Sequence, residues 1–385
     1  MIRRITLALI APALALAVAI AVSSLMLVIT GNSAREVFHV IFTEGFSRAV
    51  MVETVNRAAP YYISGVAVAI GFKMNLFNIG VEGQYKLAAL FAAAAGAAVT
   101  LPGPLHLVFI MVVAMAVGAA WAAIPGLLRA YRGVSEVISS IMLNATALGV
   151  GAFFLTRWLR QPASESPVLG TKPLPLSARM PTLNDALRVI GINVPDAIRV
   201  QSYVFVALAV GIAYYLLIWR SRYGFDLRAT GSNPEAATAS GVNAKRMIIT
   251  AMLLSGAVAG LIGLNNVLGP AGRYSDVSVV GGLGFTGIAI ALLGRNNPIG
   301  IAFAALLWAF MDAVQTPLST AQLPKQITSI MQGITVLSVV IAYEVVRRVA
   351  ARQELSGLKR EVTAGGAQPT PGAPSGPSGP EVAPA

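Results

Sequence analysis

Three polar clusters interrupt otherwise apolar sequence, and they are where chemistry could occur. The first runs Lys73-Met-Asn75-Leu-Phe77-Asn78-Ile-Gly80-Val-Glu82-Gly83-Gln84, between apolar runs at 60–72 and 85–100. The second is Ser135-Glu136-Val-Ile-Ser139-Ser140-Ile-Met142-Leu143-Asn144. In a helix, Glu136, Ser140 and Asn144 recur every four residues and share one face. Polar side chains inside apolar helices line a cavity or hydrogen-bond a neighbouring helix, and the stripe admits both readings. The third is Gly281-Gly282-Leu-Gly284-Phe285-Thr286-Gly287. It spells GxGxxG, but a dinucleotide fingerprint needs a preceding strand and a βαβ unit. In an apolar run it reads as close helix packing or a broken helix. Asn265 and Asn266 are further cavity candidates, and Asp312 reads as interfacial.

Other chemistry is excluded. The chain has no cysteine, and its two histidines, His39 and His106, are far apart in sequence. Phosphate-loop, HExxH and GxSxG motifs are lacking. The chain is therefore expected to be neither an ATPase itself nor another enzyme, and to bind no metal or cofactor.

The elements that position these clusters are membrane spans. Of 385 residues, 56% are hydrophobic and 11% charged, against about 45–50% and about 25% in soluble domains. The expected class is all-α and polytopic. Apolar runs at 5–29, 60–80, 84–100, 105–128, 135–156, 202–219, 247–268, 278–294, 298–316 and 325–346 predict about ten transmembrane helices of roughly 20 residues, one or two of them broken. The net charge of +12 fits basic loops on the cytoplasmic face better than nucleic-acid binding. Arg3, Arg4, Arg129, Arg132, Arg347 and Arg348 place both termini and the 129–134 loop in the cytoplasm. The 157–201 and 220–246 loops are each net +3, so span parity assigns them: 157–201 periplasmic and 220–246 cytoplasmic. The membrane domain is expected over 1–348. A short surface helix is expected near 182–191 and an interfacial helix within 30–58. Residues 349–385 read as a basic and then disordered Gly/Pro/Ala/Ser-rich cytoplasmic tail.

Two local inferences follow. Only about 13 apolar residues precede Lys73 from residue 60, so running the span on to Gly80 restores its length and puts Asn75 and Asn78 at membrane depth; a loop between two helices is the alternative. In the 220–246 loop, Asn233-Pro234-Glu235 has the chemistry of a helix start, and Gly241 that of a stop. A helix of about two turns over 233–240 is expected, with a small-residue surface suited to a groove on another protein.

With those motifs in place, the chain resembles the permease subunits of bacterial ABC-type nucleoside importers, within the wider family that also transports branched-chain amino acids, ribose and other simple sugars. The resemblance covers about residues 5–346. It rests on Asn75-Leu-Phe77-Asn78-Ile79-Gly80-Val-Glu82-Gly83-Gln84, on Ser135-Glu136 with Met142-Leu143-Asn144, on Gly231-Ser-Asn233-Pro234-Glu235-Ala236-Ala237 with Gly241, and on Gly284-Phe285 through Gly294 with Asn297-Pro298-Ile-Gly300. Ser135, where Asn is usual, and Lys86 depart from the pattern. The resemblance implies a multi-pass inner-membrane subunit that passes a nucleoside or related sugar-like solute. Implied partners are ABC ATPase subunits that use ATP and Mg, a second identical or homologous permease, and an external lipid-anchored solute-binding protein. Asn75, Phe77, Asn78, Glu82, Gln84, Asn144 and Phe285 would line the pathway, with amides suited to hydroxyls and Phe77 and Phe285 to a base. Gly231, Asn233, Pro234, Glu235, Ala236 and Gly241 would couple to the ATPase. The competing reading is an ion-coupled secondary transporter that uses Glu82, paired with Lys73.

Overall fold

The computed structural model describes residues 17–162, 168–189, 198–275, 278–324, 326–339, 341, 345 and 348. They fall into two units, Ala19–Val336 and a second made of Met1–Val18 with Leu337–Ala385. The tail and most of residues 340–350, including Arg347, lie outside the described residues, as do Arg3 and Arg4. The account below concerns Ala19–Val336.

The described residues are helical, with three isolated bridges, Arg160 to Thr171, Gly170 to Ser275 and Thr182 to Gln201. Helix α1 is Ala17–Ile29, α2 is Ala34–Glu44 and α3 is Arg48–Lys73. They are followed by α4 (Val81–Ala98), α5 (Gly103–Arg132) and α6 (Glu136–Phe154), which runs on through a π turn at Leu155–Leu159. Next come α7 (Asn184–Val189), α8 (Tyr203–Arg220), α9 (Arg222–Ser232) and α10 (Pro234–Ala239). The remainder are α11 (Ala244–Gly260), α12 (Leu264–Leu268), α13 (Leu283–Leu293), α14 (Pro298–Ala313), α15 (Gln315–Thr320) and α16 (Gln326–Val339).

Among the described residues, five segments are long and apolar enough to cross a membrane: Gly103–Arg132, Glu136–Leu159, Tyr203–Arg220, Ala244–Leu268 and Pro298–Thr320. Not every expected run forms a full-length helix. The 278–294 run yields only the 11 residues of α13, about 16 Å of rise, roughly half a bilayer core. A loop over 269–282 brings the chain to its start.

The span expected at 60–80 is shifted. Helix α3 begins at Arg48 and ends at Lys73, so its 26 residues gain their length upstream. Polar Arg48, Glu53 and Arg57 disguised that half, and Pro60 sits inside the helix. The interfacial helix expected within 30–58 is correspondingly shorter: α2 ends at Glu44, with Gly45 as its cap. Helix α3 is the central element, its residues from Ala58 to Gly71 almost all buried. A helix apolar on all sides belongs inside a bundle.

Small residues set the closest packing. On α5, Ala114, Gly118 and Ala122 recur every four residues and meet Gly256 and Gly260 of α11. A Cβ on Gly118 would lie 2.2 Å from the Gly256 carbonyl oxygen, and one on Gly260 would lie 2.1 Å from that of Ala114. This is the small-residue interface by which backbones approach inside membranes.

The described residues of the 157–201 loop are largely irregular, with α7 inside the segment expected to be helical. It is fastened to α3 by Asn56, whose Nδ2 donates to the Arg199 carbonyl at 2.8 Å and whose Oδ1 accepts from Gln201 N–H at 2.9 Å.

Candidate functional site

The first polar cluster is a tight break between α3 and α4. Asn75 takes a left-handed conformation, φ +57°, which Asn tolerates better than most residues. The chain reverses over residues 74–80. Asn78 is buried and all its amide capacity is used. Its Oδ1 accepts from Gly80 N–H at 3.1 Å and Gln84 Nε2 at 2.9 Å. Its Nδ2 donates to Gln84 Oε1 at 3.0 Å and Ser255 Oγ at 2.8 Å. Ser255 in turn donates to the Ala67 carbonyl at 2.6 Å. A reciprocal amide pair thus ties the break to α4, α11 and α3. Asn75 and Phe77 are exposed; the Phe77 ring packs edge-on to Phe72 at 5.0 Å.

The stripe on α6 faces this break. Asn144 Oδ1 accepts from Gly83 N–H at 2.9 Å, and its Nδ2 donates to the Ile79 carbonyl at 2.9 Å. It thereby supplies partners to backbone groups left over at the start of α4. Glu136 accepts from Phe77 N–H at 3.3 Å and pairs with Arg129 at 3.4 Å. Ser140 lies against Gly80, where an added Cβ would come within 3.4 Å of it.

Glu82 binds the break to the half-helix α13. Its carboxylate accepts from Gly282 N–H at 2.8 Å and Gly284 N–H at 3.0 Å. It also accepts from Tyr85 Oη at 3.0 Å and pairs with Lys86 at 3.0 Å. An anion at a helix N-terminus satisfies orphan N–H groups and complements the helix dipole. Its cation is Lys86, one turn along α4, whereas the Lys73 ammonium lies 5.0 Å from the Trp219 ring centroid. The third cluster accordingly shows both expected features. Gly282 turns at φ +90°, and α13 approaches its neighbours at backbone distance. A Cβ on Gly284 would lie 2.5 Å from Glu82 N, and one on Gly287 would lie 2.1 Å from Ser64 Oγ. Phe285 is half exposed, at 52%.

Beside α13 lies a cavity of about 190 Å³ that the sequence reading only touched. Its polar lining is Glu53, Arg57, Tyr61, Asn265, Asn266, Ser278 and Asp312. Asp312 is half-buried. It accepts from the Tyr61 hydroxyl, from Gln315 at 3.1 Å and from Gln332 at 2.9 Å. Glu53 and Arg57 form an ion pair at 2.6 Å, one turn apart. Asn266 Nδ2 donates to the Ser278 carbonyl at 2.9 Å. Glu53, Arg57, Tyr61 and Ser278 were missed. The signal that could have found the first two was an i,i+4 acid–base pair next to an apolar run.

At the Lys73 end of the bundle, α10 forms where the sequence placed it. Asn233 Oδ1 accepts from Glu235 N–H at 3.1 Å and Ala236 N–H at 3.0 Å. At the other end Gly241, φ +88°, closes the helix; its N–H donates to the Thr238 carbonyl at 3.0 Å and Val242 N–H to that of Ala237 at 3.0 Å. Glu235 and Ala236 are exposed and Ala237 is buried. Helix α9, which was not anticipated, leads into it. Gly231 near its end lies against the α3 terminus, where a Cβ would fall 2.7 Å from the Lys73 carbonyl and 2.9 Å from Met74 Cα.

Residues 50–340 match the family described as Branched-chain amino acid transport system / permease component. The chain is 32% identical over 348 residues to the guanosine ABC transporter permease protein NupP of Bacillus subtilis, covering 90% of this chain and 96% of that one. It is 33% identical to the glucose ABC transporter permease protein TsgB13 of Haloferax volcanii, over 85% of each chain. It is 28% identical to the nucleoside ABC transporter permease protein NupB of Lactococcus lactis, over 76% and 79%.

Proposed function

The chain belongs to the family of branched-chain amino acid transport system permease components, and on that premise we propose that it is the transmembrane subunit of an ATP-driven importer for a nucleoside or related sugar-like solute. The observation that carries this reading is the exposed, doubly capped α10, joined through α9 to the end of α3. A surface helix of small residues with its ends fixed is built to sit in a groove of another protein. Here that protein is a separate ATPase, and Gly231, Asn233, Pro234, Glu235, Ala236 and Gly241 form or shape the docking element. The α9–α10 end then faces the cytoplasm, the 157–201 loop faces outward, and the bundle sits in the inner membrane. The likeness to permeases named for guanosine, nucleosides and glucose supports a hydroxylated solute.

Within that reading the expected pathway residues divide by exposure. Asn75, Phe77 and Phe285 have free surface and can meet the solute, the two rings by stacking on a base. Asn78, Glu82, Gln84 and Asn144 have their polar atoms on neighbouring groups, and they frame the route by holding the break and α13. A second permease subunit completes the pathway, and an external binding protein delivers solute to it.

The test is a pull-down of the chain, solubilised gently from its membrane, as wild type and as a variant carrying Glu235→Arg and Ala236→Asp. The expected result is an ATPase recovered with wild type and lost from the variant, while a second permease stays bound to both. Recovery of no ATPase with either form would overturn the reading.

A further inference from the structure

The cavity beside α13 is lined by a buried side-chain atom that has no hydrogen-bond partner among the described residues. Asn265, the second residue of α12, is 7% exposed and lines the cavity. Its Nδ2 faces the Asn56 carbonyl at 3.5 Å, which sets the amide orientation, since the opposite one would set two acceptors together. Its Oδ1 has no partner among the described residues. A buried acceptor left so destabilises the site, and a ligand donor that reaches it supplies the missing partner.

The rest of the lining says which donor. Glu53 and Asp312 contribute carboxylates, the Arg57 guanidinium is paired to Glu53, and the Tyr61 hydroxyl is given to Asp312. Two carboxylates against one guanidinium make the wall net negative, which favours a solute that brings O–H donors over an anionic one. Ile262, Val279 and Leu283 supply apolar surface for the C–H faces of a ring. The volume of about 190 Å³ lies below the roughly 300–1,000 Å³ of sites that enclose a whole drug-sized ligand. It suits one sugar ring.

We propose that this cavity is a station on the transport route that holds the sugar of the solute, with Asn265 Oδ1 accepting from a ring hydroxyl. The proposal deepens the importer reading and rests on it. It assigns specificity within the permease to hydroxyl donors rather than to a base.

The experiment measures uptake in cells carrying the whole importer. The probe is whichever of guanosine and D-glucose the wild type accumulates, set against its dideoxy analogue, 2′,3′-dideoxyguanosine or 2,3-dideoxyglucose. The binding protein is the same in every strain, so a changed probe-to-analogue ratio belongs to the permease. Asn265→Leu is expected to lower that ratio about tenfold, the equivalent of one hydrogen bond at ~1.4 kcal/mol. Asn265→Gln keeps the amide, with an oxygen for the hydroxyl and an NH₂ for the Asn56 carbonyl, and is expected to lower the ratio less than about threefold. Because a ratio does not depend on how much protein reaches the membrane, poor folding of Asn265→Leu does not blur the result. A ratio unchanged in Asn265→Leu, or lowered as far in Asn265→Gln, overturns the station. Uptake that vanadate does not stop overturns the ATP-driven reading, while the ratio still decides the cavity. If the wild type accumulates neither probe, both fall.

Discussion

Glu82→Gln isolates the contact that fixes α13. In the wild type the carboxylate receives two backbone N–H groups, the Tyr85 hydroxyl and the Lys86 ammonium. Glutamine keeps one oxygen for Gly282 but turns an NH₂ toward the N–H of Gly284. A hydrogen bond to a charged group is worth about 1.5–3 kcal/mol, and the anion–dipole interaction adds up to ~2 kcal/mol in a partly buried site. Lys86 is left without its partner, but its side chain is 21% exposed, so its penalty is well below the ~3–5 kcal/mol of a fully buried pair. The expected total is about 3 kcal/mol, roughly 100-fold in the unfolding equilibrium. The assay is unfolding of the purified chain in mild detergent by added SDS, with amide hydrogen exchange resolved over residues 283–293. Exchange is expected to rise there more than in α5. The double variant Glu82→Gln with Lys86→Met is expected to cost less than the sum of the two single changes, because the two groups are coupled. A Glu82→Gln variant within ~0.5 kcal/mol of wild type, with α13 exchange unchanged, would refute the assignment of Glu82 as its clamp.

Two further predictions follow from packing and capping. Gly287→Ala drives a methyl to 2.1 Å from Ser64 Oγ, whereas at Gly281 the nearest atom is the flexible Lys86 Nζ at 3.1 Å; Gly287→Ala is expected to abolish uptake or folded yield, and Gly281→Ala to lower uptake less than about threefold. Asn233→Ala removes both N-cap acceptances of α10, a local cost of ~1 kcal/mol. It is expected to leave the thermal stability of the bundle nearly unchanged while lowering the amount of ATPase recovered with the chain.

Sequence legibility tracked the range of the interactions. Helix α10 was readable because its signals are local: an Asn-Pro-Glu start and a Gly stop within nine residues. The end of the span was placed at Gly80 and not at Lys73, because its start was counted from Pro60. The missing length lay in Arg48–Ala59, whose charges hid a helix that buries Thr54 and Asn56. Helix α9 was overlooked because Gly224 and Gly231 weaken its propensity. Those glycines answer to tertiary contacts instead: a Cβ on Gly224 would meet the Leu217 carbonyl at 2.2 Å. The Tyr61–Asp312 bond joins residues 251 apart, and no periodicity reports such a pair. The α6 stripe was legible as a face, but its partner, the backbone of residues 77–83, appears only when α4 and α6 lie side by side.

These contacts also say how a movement at one end could reach the cavity. Gly231 allows α9 to rest on Lys73 and Met74, where α3 ends. That place is not a free hinge. Asn78, Gln84, Glu136 and Asn144 bond its backbone and side chains to α4, α6 and α11. The break is thereby fastened to the first turn of α4, where Glu82 bonds Gly282 and Gly284. Leu283, the first residue of α13, also lines the cavity that contains Asn265. Coupling needs an element with two arrangements that both ends bias. Helix α13 is the element that meets both ends: Glu82 holds its N-terminus through the N–H groups of Gly282 and Gly284, and Leu283 borders the cavity.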